Sequence, residues 1–298
     1  MSKTPGRWEG RSLTTRSITS GDKNRRRQDI RDRKAVAAPP ASAPGDGSRP
    51  GGGLLWKAGS VLLALALWQV GAGILGYDIL LAPPHRVVRH LAGMLLEGRF
   101  WLTVAYSFAR ILTGFFCALL TGALLAAAAG RFRLAEILLW PYMTVIKSTP
   151  VASFIILCLI FLNAERLSVF VSYLIVLPIV YTNFLQGIRS TDKDLLEMAE
   201  VFRTGWGKRF VYIYLPQLKP YILAACSVSI GMAWKSGVAA EVIGIPRGSV
   251  GEQLYEAKVY LDSTGLFAWT LVIVGVSVAF EKAFIGLLKL FYRRLERI

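Results

Sequence analysis

Residues 197–216 read EMAEVFRTGWGKRFVYIYLP and separate two long apolar runs. A connector between two such runs needs only a few polar residues, yet this one carries a regular apolar pattern. Five apolar residues recur at i, i+3, i+4, i+7 and i+11, namely Leu195, Met198, Ala199, Phe202 and Trp206. This spacing places them on one face of an α-helix. The stretch therefore predicts a short amphipathic helix between the two apolar runs.

The residues on either side of this pattern predict where the helix begins and ends. Thr191 and Asp192 can cap its first turn, and Gly205 and Gly207 can end it. Pro216 lies at the start of the next apolar run, where a helix tolerates proline because its first N–H groups have no intrahelical partner. An apolar helix face can pack on its own chain, lie on a lipid surface or dock into a groove of another protein. Periodicity does not choose among the three.

The composition indicates a protein that crosses a membrane several times. Of the 298 residues, 54% are hydrophobic, and the mean hydropathy is +0.46, which is too apolar for an ordinary soluble domain. Apolar runs of about 20 residues can span a bilayer as helices. They predict six spans, near 56–76, 103–129, 134–162, 167–187, 218–237 and 265–288. Pro141 and Pro150 predict a break or kink in the third span.

The N-terminal segment differs from the rest of the chain in charge and composition. The net charge is +16, and much of it lies before the first span, in a segment that includes KNRRRQDIRDRK and APPASAPGDGSRPGGG. Such a polar, Pro/Gly-rich segment cannot bury enough apolar surface to offset its ordering entropy. We expect residues 1–53 to be a disordered basic tail and residues 54–298 to form the membrane domain. A basic flank before a span sets orientation and contacts anionic lipid, so nucleic acid is not an expected partner.

The placement of lysine and arginine predicts the orientation of the spans. If the N-terminus is cytoplasmic, the cytoplasmic connectors are residues 130–133, residues 188–217 and the C-terminal stretch KLFYRRLERI. These connectors hold more lysines and arginines than those on the opposite side. The bias, together with an even number of spans, predicts that both termini are cytoplasmic.

No cluster of residues predicts a catalytic or metal site. Cys117, Cys158 and Cys226 lie in separate apolar stretches, so we interpret them as small packing residues. His85 and His90 are not spaced with other donors as metal ligands are. The chain also contains no G-x-x-x-x-G-K-[ST] run, so we expect any ATP to be bound by a partner and no cofactor by this chain.

The opening stretch resembles the cytoplasmic "EAA" loop of binding-protein-dependent ABC importer permeases. That motif runs Glu-Ala-Ala, three residues, Gly, nine residues, Ile, one residue, Leu-Pro. Residues 197–199 (EMA) and 213–216 (IYLP) match it at the same spacing. Met198 replaces the second residue, and Arg203 stands where the motif has glycine. We therefore expect the turn after the helix to be displaced towards Gly205.

The resemblance extends over nearly all of residues 54–298. Residues 233–255, AWKSGVAAEVIGIPRGSVGEQLY, and 80–95, LLAPPHRVVRHLAGML, are similar to segments of the nitrate/sulfonate/taurine-type branch of these permeases. The fold that this implies is all-α: a polytopic membrane protein with about six transmembrane helices in the type I (MetI-like) ABC importer arrangement. The implied location is the inner or plasma membrane of a prokaryote.

The resemblance also implies a mechanism and a set of partners. In such importers two permease subunits form the pathway, a pair of ATPases binds the loop helices, and an extracytoplasmic binding protein delivers substrate. This chain would then be a transport subunit rather than an enzyme. It would pair with a second copy of itself to form a homodimer. The matching positions imply ATPase coupling by Glu197, Met198, Ala199, Phe202, Arg203, Gly205, Leu215 and Pro216. Among them, Arg203 would pair with an acidic residue of the ATPase, and Pro216 would fix the hinge.

Three ionisable residues, Lys147, Lys235 and Glu241, lie in or beside apolar runs. An unpaired charge at mid-span costs at least about 2.5–3.5 kcal/mol, so each should face protein or a water-filled cavity. One interpretation is that the lysines line the pathway and favour a small anionic solute such as a sulfonate, taurine or nitrate. The other is that Lys235 pairs with Glu241, or that both lysines extend to the membrane interface.

Two alternative functions stay open on the sequence alone. A secondary transporter driven by an ion gradient would require internal repeats and paired intramembrane carboxylates, whereas Glu241 and Glu281 are isolated. The same permease role for a pyrimidine-type vitamin precursor is also compatible with the branch. An importer of a small anion is the function that the motifs favour most.

Overall fold

The computed structural model describes residues 52–75 and 81–295, and within these ranges the chain is helical and contains no β-strand. The helices are α1 Gly52–Leu75, α2 Pro84–Met94, α3 Gly98–Arg131, α4 Arg133–Ser148, α5 Val151–Phe161, α6 Ala164–Arg189, α7 Lys193–Val201, α8 Trp206–Arg209, α9 Leu215–Gly244, α10 Val250–Val259 and α11 Ser263–Leu295. A π-helical turn, Phe210–Tyr214, joins α8 to α9. The prediction of an all-α fold is confirmed.

The predicted basic tail, residues 1–53, lies outside the described residues except for Gly52 and Gly53, which begin α1. Backbone contacts group the chain from Leu62 onward into one unit. Both regions that concern function lie in that unit. The boundary between tail and membrane domain stays a prediction.

The membrane spans follow the predicted order. Four helical stretches are long and apolar enough to cross a membrane, namely Gly98–Arg131, Ala164–Arg189, Trp206–Gly244 and Ser263–Leu295. The pair α4 and α5 makes a fifth if it counts as one span. These five coincide with the second to sixth predicted spans. The first predicted span coincides with α1, whose described apolar part, Gly59–Ile74, is shorter than a typical membrane-spanning helix.

The predicted break in the third span is confirmed. Helices α4 and α5 are bent by 108° relative to each other, and Pro150 is the residue before the first turn of α5. Proline cannot donate a backbone hydrogen bond and disfavours helix in the residue before it, so the chain changes direction there. Pro141 lies inside α4 without ending it.

Helix α3 packs along α6 through a seam of small residues. Gly114, Ala118, Gly122 and Ala126 recur at every fourth position of α3, and all four are buried. A Cβ on Gly122 would lie 2.9 Å from Cγ1 of Val180 on α6. Small residues at this spacing let two helix backbones approach closely. Helix α9 packs against both α6 and α3, and this three-helix core positions the functional regions.

The two ends of α9 carry the regions of interest. The first, here called the loop end, is the segment 190–214 that precedes α9 and contains α7 and α8. The second, here called the α10 end, begins where α9 stops at Gly244 and turns into α10. That turn contains Ile245 and Gly248, whose φ angles are 49° and 74°.

Candidate functional site

The loop end begins with a capped helix that is tied to the spans. The side chain of Asp192 accepts a hydrogen bond from the Asp194 N–H (2.9 Å) and so caps α7, as predicted. The N–H of Asp192 donates to Oε1 of Gln217 in the first turn of α9 (2.8 Å). Arg189, the last residue of α6, donates to the carboxylate of Glu136 on α4. The loop is therefore held at its start by α4, α6 and α9.

Helix α7 ends in a left-handed turn at Arg203, the position at which the motif has glycine. Arg203 has φ 49°; its N–H donates to the Glu200 carbonyl (2.9 Å) and the Thr204 N–H donates to the Ala199 carbonyl (2.9 Å). This pair of bonds is a Schellman motif. Gly205 has φ −61°, which any residue adopts. The expected displacement of the turn towards Gly205 is wrong, because the hydrogen-bonding register of the helix places the turn at position 203.

Arg209 holds this turn from the following helix. Its Nε donates to the Thr204 carbonyl (2.9 Å), and its Nη2 donates to the Ala199 carbonyl (3.2 Å). A positive charge at these carbonyls is favourable because the C-terminus of a helix carries partial negative charge. The sequence reading gave Arg209 no role. The signal that could have identified it is a basic residue a short distance beyond a helix end.

Several apolar side chains at the loop end are exposed. We call four of them the apolar loop face: Met198, Val201, Phe202 and Trp206, with exposures of 51%, 80%, 76% and 77%. The Trp206 ring stacks on Phe210 with 5.6 Å between centroids, which fixes its orientation. Covering apolar surface is worth about 25 cal/mol per Å², so this face gains free energy when a partner docks on it.

The other predicted coupling residues occupy different positions. Ala199 is only 4% exposed, so it packs inside the chain and divides the predicted stripe into an internal and an external part. Glu197 is exposed beside the apolar loop face. Leu215 and Pro216 are half-buried in the first turn of α9, where proline was predicted to lie. The coupling roles of these residues stay predictions.

A groove of about 370 Å³ lies between α7 and α8. Its lining residues are Lys193, Leu196, Glu197, Glu200, Trp206, Arg209 and Tyr214. The Arg209 guanidinium is already engaged by helix carbonyls, whereas Glu197 and Glu200 offer their charge to the groove. Because charge complementarity selects partners, a basic side chain next to an apolar surface is the chemistry that this region accepts best.

The three ionisable residues predicted near the pathway do not share a site. Nζ of Lys147 donates to Oγ1 of Thr182 on α6 (3.4 Å), and Lys235 is exposed on α9. Glu241 is buried, and its carboxylate accepts hydrogen bonds from Ser107 and Gly251. The alternative in which Lys235 pairs with Glu241 is therefore wrong. The partners of Glu241 come from α3 and α10, which are far from Lys235 in sequence.

Comparison with known protein families gives a match over most of the region just described. The family described as "Binding-protein-dependent transport system inner membrane component" matches residues 118–297. The matched range contains the whole loop end and all of α10.

Known relatives include permease proteins of several bacteria. The "Putative aliphatic sulfonates transport permease protein SsuC" of Bacillus subtilis is 28% identical over 240 residues, covering 78% of this chain and 86% of the relative. The "Nitrate import permease protein NrtB" of Synechococcus elongatus is 27% identical over 203 residues, covering 65% and 72%. The "Taurine transport system permease protein TauC" of Escherichia coli is 26% identical over 246 residues, covering 80% and 86%. A solved structure titled "Crystal structure of an amino acid ABC transporter with histidines" gives a TM-score of 0.46 at 21% identity, covering 64% of this chain and 90% of that one.

Proposed function

Because the chain belongs to the family of binding-protein-dependent transport system inner membrane components, we propose that it forms the translocation pathway of an ATP-driven importer and couples to an ATPase through the apolar loop face. The family is the one that the motif at 197–216 predicts. The chain is a transport subunit, and the chemistry of ATP belongs to the partner.

The observation that carries the coupling role is the exposed apolar loop face on a helix that is fixed at both ends. Asp192 caps the start of α7, and Arg209 bonds to carbonyls at its end. A rigid helix loses little conformational entropy when it docks. Its exposed apolar residues are spaced as helix-in-groove recognition requires. The loop end therefore transmits force between an ATPase and the spans.

The partners and the orientation follow from this assignment. The loop end faces the cytoplasm, where the ATPases reside, and both termini lie on the same side. The α10 end then faces outward, towards a substrate-binding protein. A second copy of this chain completes the pathway, and each copy presents one apolar loop face to one subunit of an ATPase dimer.

The substrate class that we propose is a small anion. The relatives carry names that specify sulfonates, nitrate and taurine. Two exposed lysines, Lys147 and Lys235, lie within the segments that form the spans, and a positive charge there lowers the barrier to an anion. The binding protein selects among anions, while the pathway sets only the sign of charge.

Co-purification tests the coupling role. The chain is co-expressed with an ABC ATPase from the same genome, and Phe202→Asp is compared with Tyr260→Asp. Both positions carry an exposed aromatic side chain, at 76% and 80% exposure, but they lie at opposite ends of α9. We expect Phe202→Asp to reduce bound ATPase by at least about tenfold, because the variant places a charge in an apolar contact. Equal ATPase recovery in the two variants would contradict the coupling role.

Uptake by proteoliposomes tests the substrate class. The complex with its ATPase and binding protein is assayed with a radiolabelled alkanesulfonate and with nitrate, and Lys147→Gln and Lys235→Gln are compared with the unaltered chain. We expect slower uptake of either anion in both variants, with ATP hydrolysis retained. Unchanged uptake in both variants contradicts the anion pathway but leaves the coupling role intact.

A further inference from the structure

Glu241 is a buried acid to which the transport function assigns no task. It lies in the last turn of α9, before Gly244, and is 1% exposed. A buried carboxylate is unfavourable unless hydrogen bonds and opposite charge compensate it. The groups that do so come from other helices, so Glu241 joins parts of the chain that are distant in sequence.

One carboxylate oxygen binds the first turn of α10. Oε2 of Glu241 accepts a hydrogen bond from the Ser107 hydroxyl on α3 (2.7 Å) and one from the Gly251 N–H (3.4 Å). The Ser107 Oγ in turn accepts a hydrogen bond from the Val250 N–H (2.9 Å). The N–H groups that begin a helix have no intrahelical acceptor, and the helix dipole favours negative charge beside them. The carboxylate therefore holds the start of α10 and ties it to α3.

Polar groups near the Glu241 carboxylate help to compensate its burial. Among the described residues, Oε1 of Glu241, Oγ of Ser168 and Nη1 of Arg110 are buried and have no hydrogen bond of normal geometry. The positive charge of Arg110 acts electrostatically on the Glu241 carboxylate, and the Ser168 hydroxyl lies close to it. Nη2 of Arg110 donates to the Tyr106 hydroxyl. Arg110 thus supplies positive charge from α3 without a direct ion pair, and the carboxylate stays free to bond to α10.

Gly251 allows α10 to approach this carboxylate. A Cβ at position 251 would meet both the side chain and the backbone of Glu241, and would lie 2.6 Å from the backbone nitrogen of Val242. Backbone atoms cannot move aside as a flexible side chain can, so only glycine fits. Glu241 on α9 and Gly251 on α10 therefore both contribute to one contact: the acid accepts the hydrogen bond, and the glycine leaves room for it.

We propose that Glu241 is a positioning residue for transport, whose carboxylate holds α10 on α3 and on the end of α9. The proposal rests on the proposed function, because that function places the α10 end at the outer mouth of the pathway. With this contact intact, α10 moves together with the spans when the ATPases close. Without it, the spans move and α10 does not follow.

Hydrogen exchange measures the contact directly. The purified chain is compared with Glu241→Ala, Glu241→Gln and the matched control Glu256→Gln, which makes the same substitution at an exposed position of α10. We expect the Gly251 amide, which donates to the carboxylate, to exchange at least about tenfold faster in Glu241→Ala, since hydrogen bonds to a charged group are the stronger kind. The Val250 amide donates to Ser107 and should also exchange faster, because Ser107 loses its own partner in this variant. Glu241→Gln keeps an acceptor oxygen, so its exchange rates should lie between those of the unaltered chain and those of Glu241→Ala. Unchanged exchange in both Glu241 variants would overturn the proposal.

Coupled transport separates positioning from a general role in folding. In proteoliposomes that contain the complex with its ATPase and binding protein, we expect Glu241→Ala to hydrolyse ATP but to import less radiolabelled taurine per ATP. Glu241→Gln should restore part of that ratio. Equal losses of hydrolysis and import would show that Glu241 acts only through folding, and would overturn the positioning role.

A second variant keeps the proposal testable if Glu241→Ala does not fold. Ser107→Ala removes a donor to Glu241 and the acceptor of the Val250 N–H, yet leaves the acid in place. Because Val250 loses its own acceptor, the deciding amide is Gly251, which donates to Glu241. Protection retained at Gly251 supports the contact, and equally fast exchange at both amides contradicts it. The exchange measurement needs no partner protein. An unaltered chain that binds no ATPase would therefore contradict the proposed function while the exchange data still decide the role of Glu241.

Discussion

The two ends of α9 place side chains where they are usually not found. At the loop end Phe202 is 76% exposed, and at the α10 end Glu241 is 1% exposed. Large apolar side chains are ordinarily buried and acids ordinarily exposed. The α10 end satisfies its acid within the chain, through Ser107 and Gly251, whereas nothing described in the chain covers the apolar loop face. The buried acid is therefore satisfied within the chain, whereas the apolar loop face is left for a second molecule.

The largest expected effect comes from two matched glycine substitutions, one at each end. Gly251→Val forces a side chain into the backbone of α9, and such overpacking should lower the free energy of unfolding by about 1–3 kcal/mol. A Cβ at position 205 meets nothing within 4 Å, so Gly205→Val should change the free energy of unfolding by less than about 0.5 kcal/mol. Thermal unfolding in detergent, followed by tryptophan fluorescence, measures both. Equal shifts would show that the α10 end is no more tightly packed than the loop.

The next effect concerns Arg209. Arg209→Gln removes the charged donor to the Ala199 and Thr204 carbonyls, and we expect the end of α7 to open more easily by about 1–2 kcal/mol. Hydrogen exchange at the Thr204 amide reports this opening. Lys208→Gln is the matched control, because it removes a positive charge from the neighbouring exposed position. Equal exchange at the Thr204 amide in the two variants would show that Arg209 contributes no more to the turn than a neighbouring surface charge does.

A smaller effect of opposite sign is expected at Arg203. Arg203→Gly places glycine at φ 49°, where a residue with a Cβ is strained, and should stabilise the turn by about 1 kcal/mol. The melting temperature and the proteolysis rate of the loop measure this gain. Thr204→Gly, one residue further on, should bring no gain. A loss of stability in Arg203→Gly would mean that the arginine side chain contributes a contact that exceeds the strain.

The smallest expected effect on stability is that of Val201→Ser, which should nevertheless weaken binding to the ATPase. Val201→Ser removes an exposed apolar side chain and should alter the free energy of unfolding by less than about 0.5 kcal/mol. It should nevertheless weaken ATPase binding about fivefold, since burying a valine is worth about 1 kcal/mol or more. Val259→Ser is the control at the α10 end, where the side chain is 56% exposed. If the Val259 variant weakens binding equally, the two ends are not distinct as docking surfaces.

The features that the sequence predicted well are local in the chain. Long apolar runs gave the second to sixth spans, and Pro150 gave the break between α4 and α5, because both depend on residues within one helix. The loop helix and its Asp192 cap followed from spacing and side-chain chemistry for the same reason. The family was indicated by the resemblance of residues 197–216 to the EAA motif of known permeases.

The features that the sequence did not predict depend on contacts or on backbone geometry. The turn was assigned to Gly205 because glycine accepts φ > 0 most easily, yet the helix register placed it at Arg203. A search for apolar runs treats Gly122 and its neighbours only as apolar, so it does not detect the seam with α6. One of the interpretations left open pairs Glu241 with Lys235 of its own helix, whereas its actual partners lie on α3 and α10.

The π-helical turn Phe210–Tyr214 determines where this chain can tolerate a change in length. Helix α8, the π turn and α9 form one continuous stretch, Trp206–Gly244. Deleting one residue from an α-helix rotates everything beyond it by about 100°, so a deletion inside α9 would turn its buried face towards lipid. A π turn already holds one residue more than an α turn, and a deletion there can be absorbed by conversion to ordinary helix. Natural single-residue deletions in this part of the chain are therefore expected at 210–214.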